Sequence, residues 1–179
     1  MKKIFEEDIR ADTVRHIGEN MLTAARTAPK ARGIDNLVMA LVEKDEIAEI
    51  SETLKTIANC HPSAAFLLRD ANNILSAECL LIIGTKYASI NVQPCNLCGF
   101  PNCEEKDKYP DHPCVFNTGD LGIAIGSAVG VAMDARIDNR VMFSVGLAIK
   151  EMKLLGEDVK IAYGIPLSVS SKNPFFDRK

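Results

Sequence analysis

The sequence contains no tryptophan, only three histidines, and few aromatic residues of any kind, 6% of its 179 residues. It has no long basic stripe, and its formal net charge is −3. Surfaces that bind nucleic acid usually combine clustered cations with aromatic side chains on which bases stack. These absences therefore argue against a nucleic-acid partner.

Long apolar runs are also missing. The most apolar stretch, residues 121–133, has thirteen residues without a charge, whereas a helix that spans a bilayer needs about 20. Near the N-terminus, Lys2 and Lys3 are soon followed by acidic residues and not by the apolar segment of a secretory signal. These features predict a cytoplasmic protein with no membrane span. Structural disulfides are rare in that compartment, so clustered cysteines there indicate metal or redox chemistry.

Catalytic patterns typical of hydrolases are absent too, because no Ser/His/Asp or paired-carboxylate arrangement stands out. What is present is an ordinary globular composition, 47% apolar and 25% charged. A chain of this length forms one domain with a real core more readily than two. We therefore expect a single domain over residues 1–179, with residues 91–117 inserted as a loop rich in cysteine and proline.

Hydrophobic periodicity and capping residues predict the secondary structure. The expected helices cover residues 5–28, segments beginning at Asp35 and at Asp45, and residues 64–75, 121–137 (capped by Asp120) and 141–152. The expected strands cover residues 79–84 and 158–167. This order predicts an α+β fold in which helices pack on a small sheet.

Three glycines, Gly122, Gly126 and Gly130, recur every fourth residue of one expected helix and therefore share a face. Each costs a helix about 1 kcal/mol relative to alanine. Their regular spacing therefore indicates close backbone packing, either across a helix crossing within the chain or against a second copy in a homodimer.

Four of the six cysteines lie within 20 residues, in the pattern C-x2-C-x4-C-x10-C. A [4Fe–4S] cluster needs four thiolates that converge on one small body. Gly99 allows the chain to reverse without a Cβ penalty, and Pro101 stiffens its return to the third cysteine. The spacing predicts cluster ligation by Cys95, Cys98, Cys103 and Cys114.

Other readings of the same cysteines remain open. Zinc also takes four thiolates, although its structural sites usually pair two C-x-x-C knuckles and this sequence has one. A disulfide pair and unligated thiols are further alternatives. Of the two cysteines outside the segment, Cys79 opens an apolar strand and is expected in the core, and Cys60 is expected to be a free thiol.

The stretch Cys-x-x-Cys-Gly-Phe-Pro-x-Cys resembles the four-iron domain of Rnf-type electron-transport subunits and of corrinoid iron–sulfur proteins. The gap of ten residues before Cys114 is shorter than is usual there. Over most of its length the chain resembles a bacterial and archaeal family described only as containing a ferredoxin domain. Residues 25–33, 120–124 and 163–167 carry that wider resemblance.

A flavin site is the second candidate. Arg26, Lys30 and Arg32 lead towards the helix expected at Asp35, and helix N-termini attract phosphate groups. A solvated basic turn is the alternative. Residues 22–37 and the later order of elements also resemble flavin-dependent nitroreductases, although Lys30 stands where serine is usual.

That resemblance implies a nitroreductase-like fold and bound FMN. Nitroreductases also carry an arginine-rich motif for the flavin phosphate, for which Arg10 and Arg15 are the candidates here, and Lys172 and Arg178 in the tail would join the same site. We therefore expect a cytoplasmic iron–sulfur redox protein that transfers electrons to an unidentified partner protein. The alternatives are an FMN-dependent reductase fed by the cluster and a zinc-binding interaction module without catalysis.

Overall fold

The computed structural model of the protein describes residues 3–178. It contains six α-helices: α1 (Glu6–Thr27), α2 (Lys44–Cys60), α3 (Phe66–Ile74), α4 (Cys103–Asp107), α5 (Val115–Asp134) and α6 (Phe143–Glu151). Four strands complete the regular structure: β1 (Leu37–Val42), β2 (Cys79–Lys86), β3 (Asp138–Asn139) and β4 (Val159–Ser168). Short 3₁₀ turns lie at Ala31–Gly33, Pro62–Ala64 and Pro174–Phe176.

The four strands form one sheet in the order β1-β2-β4-β3, and every pairing is antiparallel. The two central strands, β2 and β4, are almost wholly buried. Strands buried on both faces read as continuous apolar runs, which is how the sequence indicated β2, whereas alternating apolar residues indicated β4. The expected α+β fold, with helices packed on a small sheet, is confirmed.

Helices cover both faces of the sheet, because successive side chains of a strand point to opposite sides. Leu80 and Ile82 of β2 join the core beneath α2, α3 and α6. Leu81 and Ile83 join the core beneath α1 and α5. The result is a three-layer arrangement with one apolar core on each side of the sheet.

The helix expected from Asp35 is wrong, since residues 37–42 form strand β1. Val38, Ala40 and Val42 pack towards one core, and the alternate residues pack towards the other. A run of six apolar residues has no polar face to reveal whether its period is two or 3.6. The pairing of β1 with β2 decides the conformation.

Helix α5 begins earlier than expected. Its N-cap is Cys114, not Asp120. Asp120 lies inside the helix, and both of its carboxylate oxygens accept a hydrogen bond from the backbone N–H of Ala31, at 3.1 and 3.2 Å. The first turn of α5 therefore belongs to the cysteine segment.

The glycine face of α5 makes no close crossing within the chain. A Cβ added at Gly122, Gly126 or Gly130 would meet nothing within 4 Å among the described residues. The expected intramolecular helix crossing is therefore wrong.

By length and composition alone, α5 could cross a membrane, although a third of its most apolar window is buried against the rest of the protein.

Candidate functional site

The cysteine segment leaves the sheet where β2 ends. Residues 87–102 contain neither helix nor strand, and the peptide bond before Pro94 is cis. The C-x-x-C portion is a turn in which the N–H of Gly99 donates to the carbonyl of Asn96 at 3.1 Å. Gly99 has φ +87°, a backbone conformation that other residues rarely adopt. The structure thus confirms the turn expected at Gly99.

The four cysteines occupy different local settings. Cys95 and Cys98 lie on the turn and are half-buried. Cys103 is the first residue of α4, whose N-cap Asn102 accepts a hydrogen bond from the N–H of Glu105 at 2.8 Å. Cys114 is buried at the N-cap of α5. Two of the four thiols therefore mark the starts of helices.

The side chain of Asn117 fixes the position of Cys114. Its Oδ1 accepts hydrogen bonds from the N–H groups of Cys114 (3.2 Å) and Ala88 (3.1 Å), and its Nδ2 donates to the Ala88 carbonyl (3.0 Å). Asn117 is 1% exposed. It therefore ties the segment after β2 to the start of α5. The sequence analysis missed it, although an amide three residues after an N-cap is a capping signal.

Arg32 secures the other side of the segment. It adopts φ +55°, and its guanidinium donates to the carbonyl oxygens of Ile90 (3.1 Å) and Asn91 (3.0 Å). Through these hydrogen bonds, Arg32 stabilises the start of the cysteine segment. They were not visible from sequence spacing, because the partners lie almost 60 residues away.

Three aromatic rings brace the far end of the segment. Phe100 stacks at 5.3 Å from Tyr109, and the His112 ring lies edge-on to both at 5.7 and 5.8 Å, measured between ring centroids. Such ring pairs add to stability beyond their buried area. This small cluster holds the return from Cys103 towards Cys114 without help from the main cores.

The four thiols lie in one lobe, which we define as residues 87–117, but they do not converge on a single point. Cys95 and Cys103 line a groove of about 480 Å³ between Pro94 and Pro101, and all six cysteines are free thiols. Within residues 3–178, no group of three or more His, Cys, Asp or Glu side chains is close enough to hold a metal ion. The donor chemistry fits a thiolate-bound metal, and binding would require the lobe to tighten.

The cations proposed for a flavin phosphate are engaged elsewhere. Arg26 pairs with Asp35 at 2.6 Å. Lys30, whose side chain is 5% exposed, donates to the carbonyls of Ala25 (2.8 Å) and Arg26 (2.6 Å) at the end of α1. The helix N-terminus expected after them is not formed, because β1 stands there. A phosphate site at Arg26, Lys30 and Arg32 stays a prediction.

Asp35 is the acidic partner of this group. Partial burial raises its pKa, but the hydrogen bonds from Leu37 N–H and Arg26, with the charges of Arg26 and Lys30, outweigh burial and leave the pKa below its ordinary value. The carboxylate is therefore held in its charged form. It neutralises cations that a phosphate would otherwise contact.

Three of the four remaining phosphate candidates, Arg10, Arg15 and Lys172, lie in local ion pairs. Arg10 pairs with Glu6 one turn away on α1, and Arg15 pairs with Glu19 at 2.9 Å on the same helix. Lys172 pairs with Asp177 in the tail at 2.5 Å. None of these pairs involves Arg26, Lys30 or Arg32.

Cys79 is 1% exposed in the core, as expected, and Cys60 is exposed. Burial raises the pKa of the Cys79 thiol to about 12, and the nearby carboxylates of Glu43 and Glu78 add to the effect. The folded protein therefore keeps this thiol neutral at pH values where an unfolded chain releases its proton.

This shift predicts a loss of stability in alkali that depends on Cys79. An unfolded thiol ionises near pH 8.5, so from there to about pH 12 the folded state holds one more proton. Stability is then fully present below about pH 8.5 and falls by up to about 1.4 kcal/mol per pH unit above it. Urea unfolding at pH 8 and 10.5 should show an extra loss of about 2.5 kcal/mol in the natural protein relative to Cys79→Ala. Equal losses in the two proteins would contradict the assignment.

Comparisons with known sequences identify relatives of this chain. A sequence model of the family described as "Uncharacterized protein containing a ferredoxin domain" (DUF2148) matches residues 111–178, which include Cys114. An "Uncharacterized protein" of Archaeoglobus fulgidus is 33% identical over 180 residues, covering 97% of this chain and 96% of that protein.

Solved structures of flavoproteins share the fold. A nitroreductase with bound FMN from Desulfitobacterium hafniense DCB-2 has a TM-score of 0.60 at 16% identity, covering 88% of this chain and 78% of that one. A BluB-like flavoprotein from Clostridium difficile 630 has a TM-score of 0.57 at 17% identity, covering 96% and 84%. At these identities the likeness establishes a nitroreductase-type fold.

Proposed function

This chain belongs to the family described as "Uncharacterized protein containing a ferredoxin domain", and we propose that it is a cytoplasmic redox protein with one [4Fe–4S] cluster. The proposed ligands are Cys95, Cys98, Cys103 and Cys114. The observation that carries the proposal is the cysteine lobe itself, in which four free thiols stand on a turn and two helix starts. The chain supplies no other group of clustered cysteines.

The protein's own residues have separable tasks in this function. When bound, the cluster supplies one-electron transfer. The turn at Gly99 orients Cys95 and Cys98, and Asn117 holds the backbone of Cys114 in place. Arg32 holds the entrance of the segment to the turn that follows α1, and the rings around Phe100 hold its far end together. The potential of the cluster would follow from the charges and hydrogen bonds that these elements place near the sulfurs.

Metal and sulfide analysis of protein purified without oxygen tests this proposal. We expect iron and acid-labile sulfide in equal amounts, about four of each per chain, and a brown colour with broad visible absorption. A colourless protein that holds one tightly bound zinc would instead support the zinc-binding interaction module. Protein purified in air is the necessary comparison, since oxygen can strip iron from exposed clusters.

A second function, an FMN-dependent reductase fed by the cluster, is favoured by the fold shared with a nitroreductase that has bound FMN. In that case Arg26, Lys30 or Arg32 would have to exchange a present partner for the flavin phosphate. Denatured protein should then release a yellow, fluorescent flavin. Failure to bind FMN during anaerobic reconstitution would remove the reductase from consideration while leaving the cluster untouched.

We also propose that the protein is a homodimer formed through the glycine face of α5. Gly122, Gly126 and Gly130 leave this face free of bulk, and Ile123 (49% exposed) and Met133 (59% exposed) flank it with apolar surface. Small residues allow two helix backbones to approach closely, so a second α5 fits this surface.

Light scattering after gel filtration measures the assembly. The natural chain should have twice the mass of one 19.5 kDa protomer, and Gly126→Leu should reduce it to a monomer. Ala48→Leu also adds bulk with a leucine, at an exposed position of α2, and should leave the dimer intact. A monomeric natural protein, or a dimeric Gly126→Leu variant, would contradict the proposed interface.

A further inference from the structure

Lys106 lies inside the cysteine lobe, where a lysine is unusual. The residue is 3% exposed and lies in the short helix α4. An ammonium group has three N–H donors. Within residues 3–178 its one hydrogen-bond acceptor is Oδ1 of Asp107, at 3.4 Å. Asp107 itself is half exposed to solvent.

A buried cation with so little compensation is costly. Charged groups leave water only when they are paired and hydrogen-bonded. A single long contact to a solvated carboxylate leaves two N–H bonds of Lys106 without an acceptor among the described side chains and carbonyls. A nearby anion would therefore lower the energetic cost of burying the positive charge of Lys106 in the lobe.

The position of Lys106 relative to Cys103 indicates which anion it would face. It follows Cys103 by three residues on α4, and residues three apart lie on the same face of a helix. Its partner Asp107 accepts a hydrogen bond from Ser89 Oγ at 2.6 Å. The ammonium is thus held between the helix that carries Cys103 and the segment that follows β2.

That segment is the one tied to the fourth proposed ligand. Ala88, next to Ser89, is bonded through both backbone groups to the side chain of Asn117, which also accepts from the N–H of Cys114. Lys106 therefore stands where the supports of Cys103 and Cys114 meet.

We propose that Lys106 is the buried counter-charge of the cysteine-bound cluster and sets its reduction potential. This inference rests on the proposed cluster. Four thiolates make the cluster anionic, and the electron it takes from a one-electron donor adds a further negative charge. A cation held in a region of low dielectric stabilises the reduced form more than the oxidised form. Lys106 acts through charge on the cluster and is a positioning residue, not a ligand.

Lys108 provides a matched control two residues away. It carries the same charge in the same lobe, but its side chain is 60% exposed and pairs with Glu105 at 2.7 Å. Water and counter-ions screen such a charge. Removing it should change the potential far less than removing Lys106.

The test is an anaerobic redox titration with dithionite, followed by visible absorption and electron paramagnetic resonance. At a fixed potential near the midpoint, Lys106→Gln should lower the ratio of reduced to oxidised cluster about tenfold, which is 59 mV for a one-electron couple. Lys108→Gln should change the ratio less than about twofold, and Lys106→Arg should keep it near the natural value. Equal shifts in Lys106→Gln and Lys108→Gln, or no shift in either, would overturn the proposal.

A second variant covers the case in which Lys106→Gln cannot hold a cluster. Asp107→Asn retains the cation and removes its half-exposed partner, so the reduced fraction should rise, opposite in sign to Lys106→Gln. An unchanged or falling fraction would count against Lys106 as the counter-charge. Natural protein without iron and sulfide would refute the cluster itself, whereas a cluster whose potential ignores Lys106 would refute this inference alone.

Discussion

A Cys98→Ser variant is expected to lose its iron and acid-labile sulfide, whereas Cys60→Ser is expected to retain both. Cys98 lies on the turn that brings two of the four proposed ligands together, and Cys60 is an exposed thiol at the end of α2. Cysteine thiolates hold such clusters, and a serine hydroxyl, which stays protonated at neutral pH, is a much weaker ligand for iron. The measurement is iron and sulfide per chain after anaerobic purification, where the loss should be from about four of each to near zero.

Cys114→Ser gives the sharper form of this test. Cys114 is the N-cap of α5, and its backbone N–H donates to the side chain of Asn117 in the first helical turn. Serine is a favoured N-cap residue, so this variant keeps the helix start and removes only the thiolate. Loss of the cluster with unchanged helical content would identify Cys114 as the fourth ligand. Retention of all four irons would mean that another group fills that corner.

The sequence indicated those elements whose burial leaves an unambiguous pattern. Helix α1 has apolar residues at helical spacing and ends before Pro29, and the structure places it at Glu6–Thr27, within one residue of the expected bounds. Strand β2 was recognisable because every residue of its apolar run is buried. Where the local pattern is ambiguous, tertiary pairing determines the conformation. The residues of β1 are as apolar as those of a buried helix, and their pairing with β2 makes them a strand.

The residues of the candidate site likewise fall into those that local spacing reveals and those whose contacts are distant in the sequence. The four cysteines and the glycine turn depend on local spacing, so they could be found from the sequence. Asn117 and Arg32 act on backbone groups 29 and almost 60 residues away, and nothing in the sequence pairs them with those groups. The interpretation of Arg32 as a phosphate ligand depended on a helix that is a strand in the fold. Lys106 carried no signal at all, because a lysine two residues from another lysine in a charged stretch is usually solvated.

Gly146→Ala is expected to destabilise the protein strongly, because α6 approaches the sheet through this glycine. A Cβ at position 146 would lie 1.8 Å from the carbonyl oxygen of Ala162 in β4. That atom belongs to the backbone of a central strand and cannot move without disturbing the pairing of β4 with β2. Overpacking against such a rigid neighbour costs about 3 kcal/mol, the upper end of the usual range, which is a large part of the stability of a domain this size.

Gly122→Ala is the matched control, since it makes the same substitution inside a helix. A Cβ there meets nothing within 4 Å in the described protomer, and alanine is favoured over glycine in a helix by about 1 kcal/mol. Urea unfolding of dilute, metal-free protein should therefore give changes of opposite sign, a gain for Gly122→Ala and a loss for Gly146→Ala. A Gly146→Ala protein as stable as the natural chain would contradict the close contact between α6 and β4. The contrast separates a glycine required by packing inside the protomer from one that leaves room for a second copy.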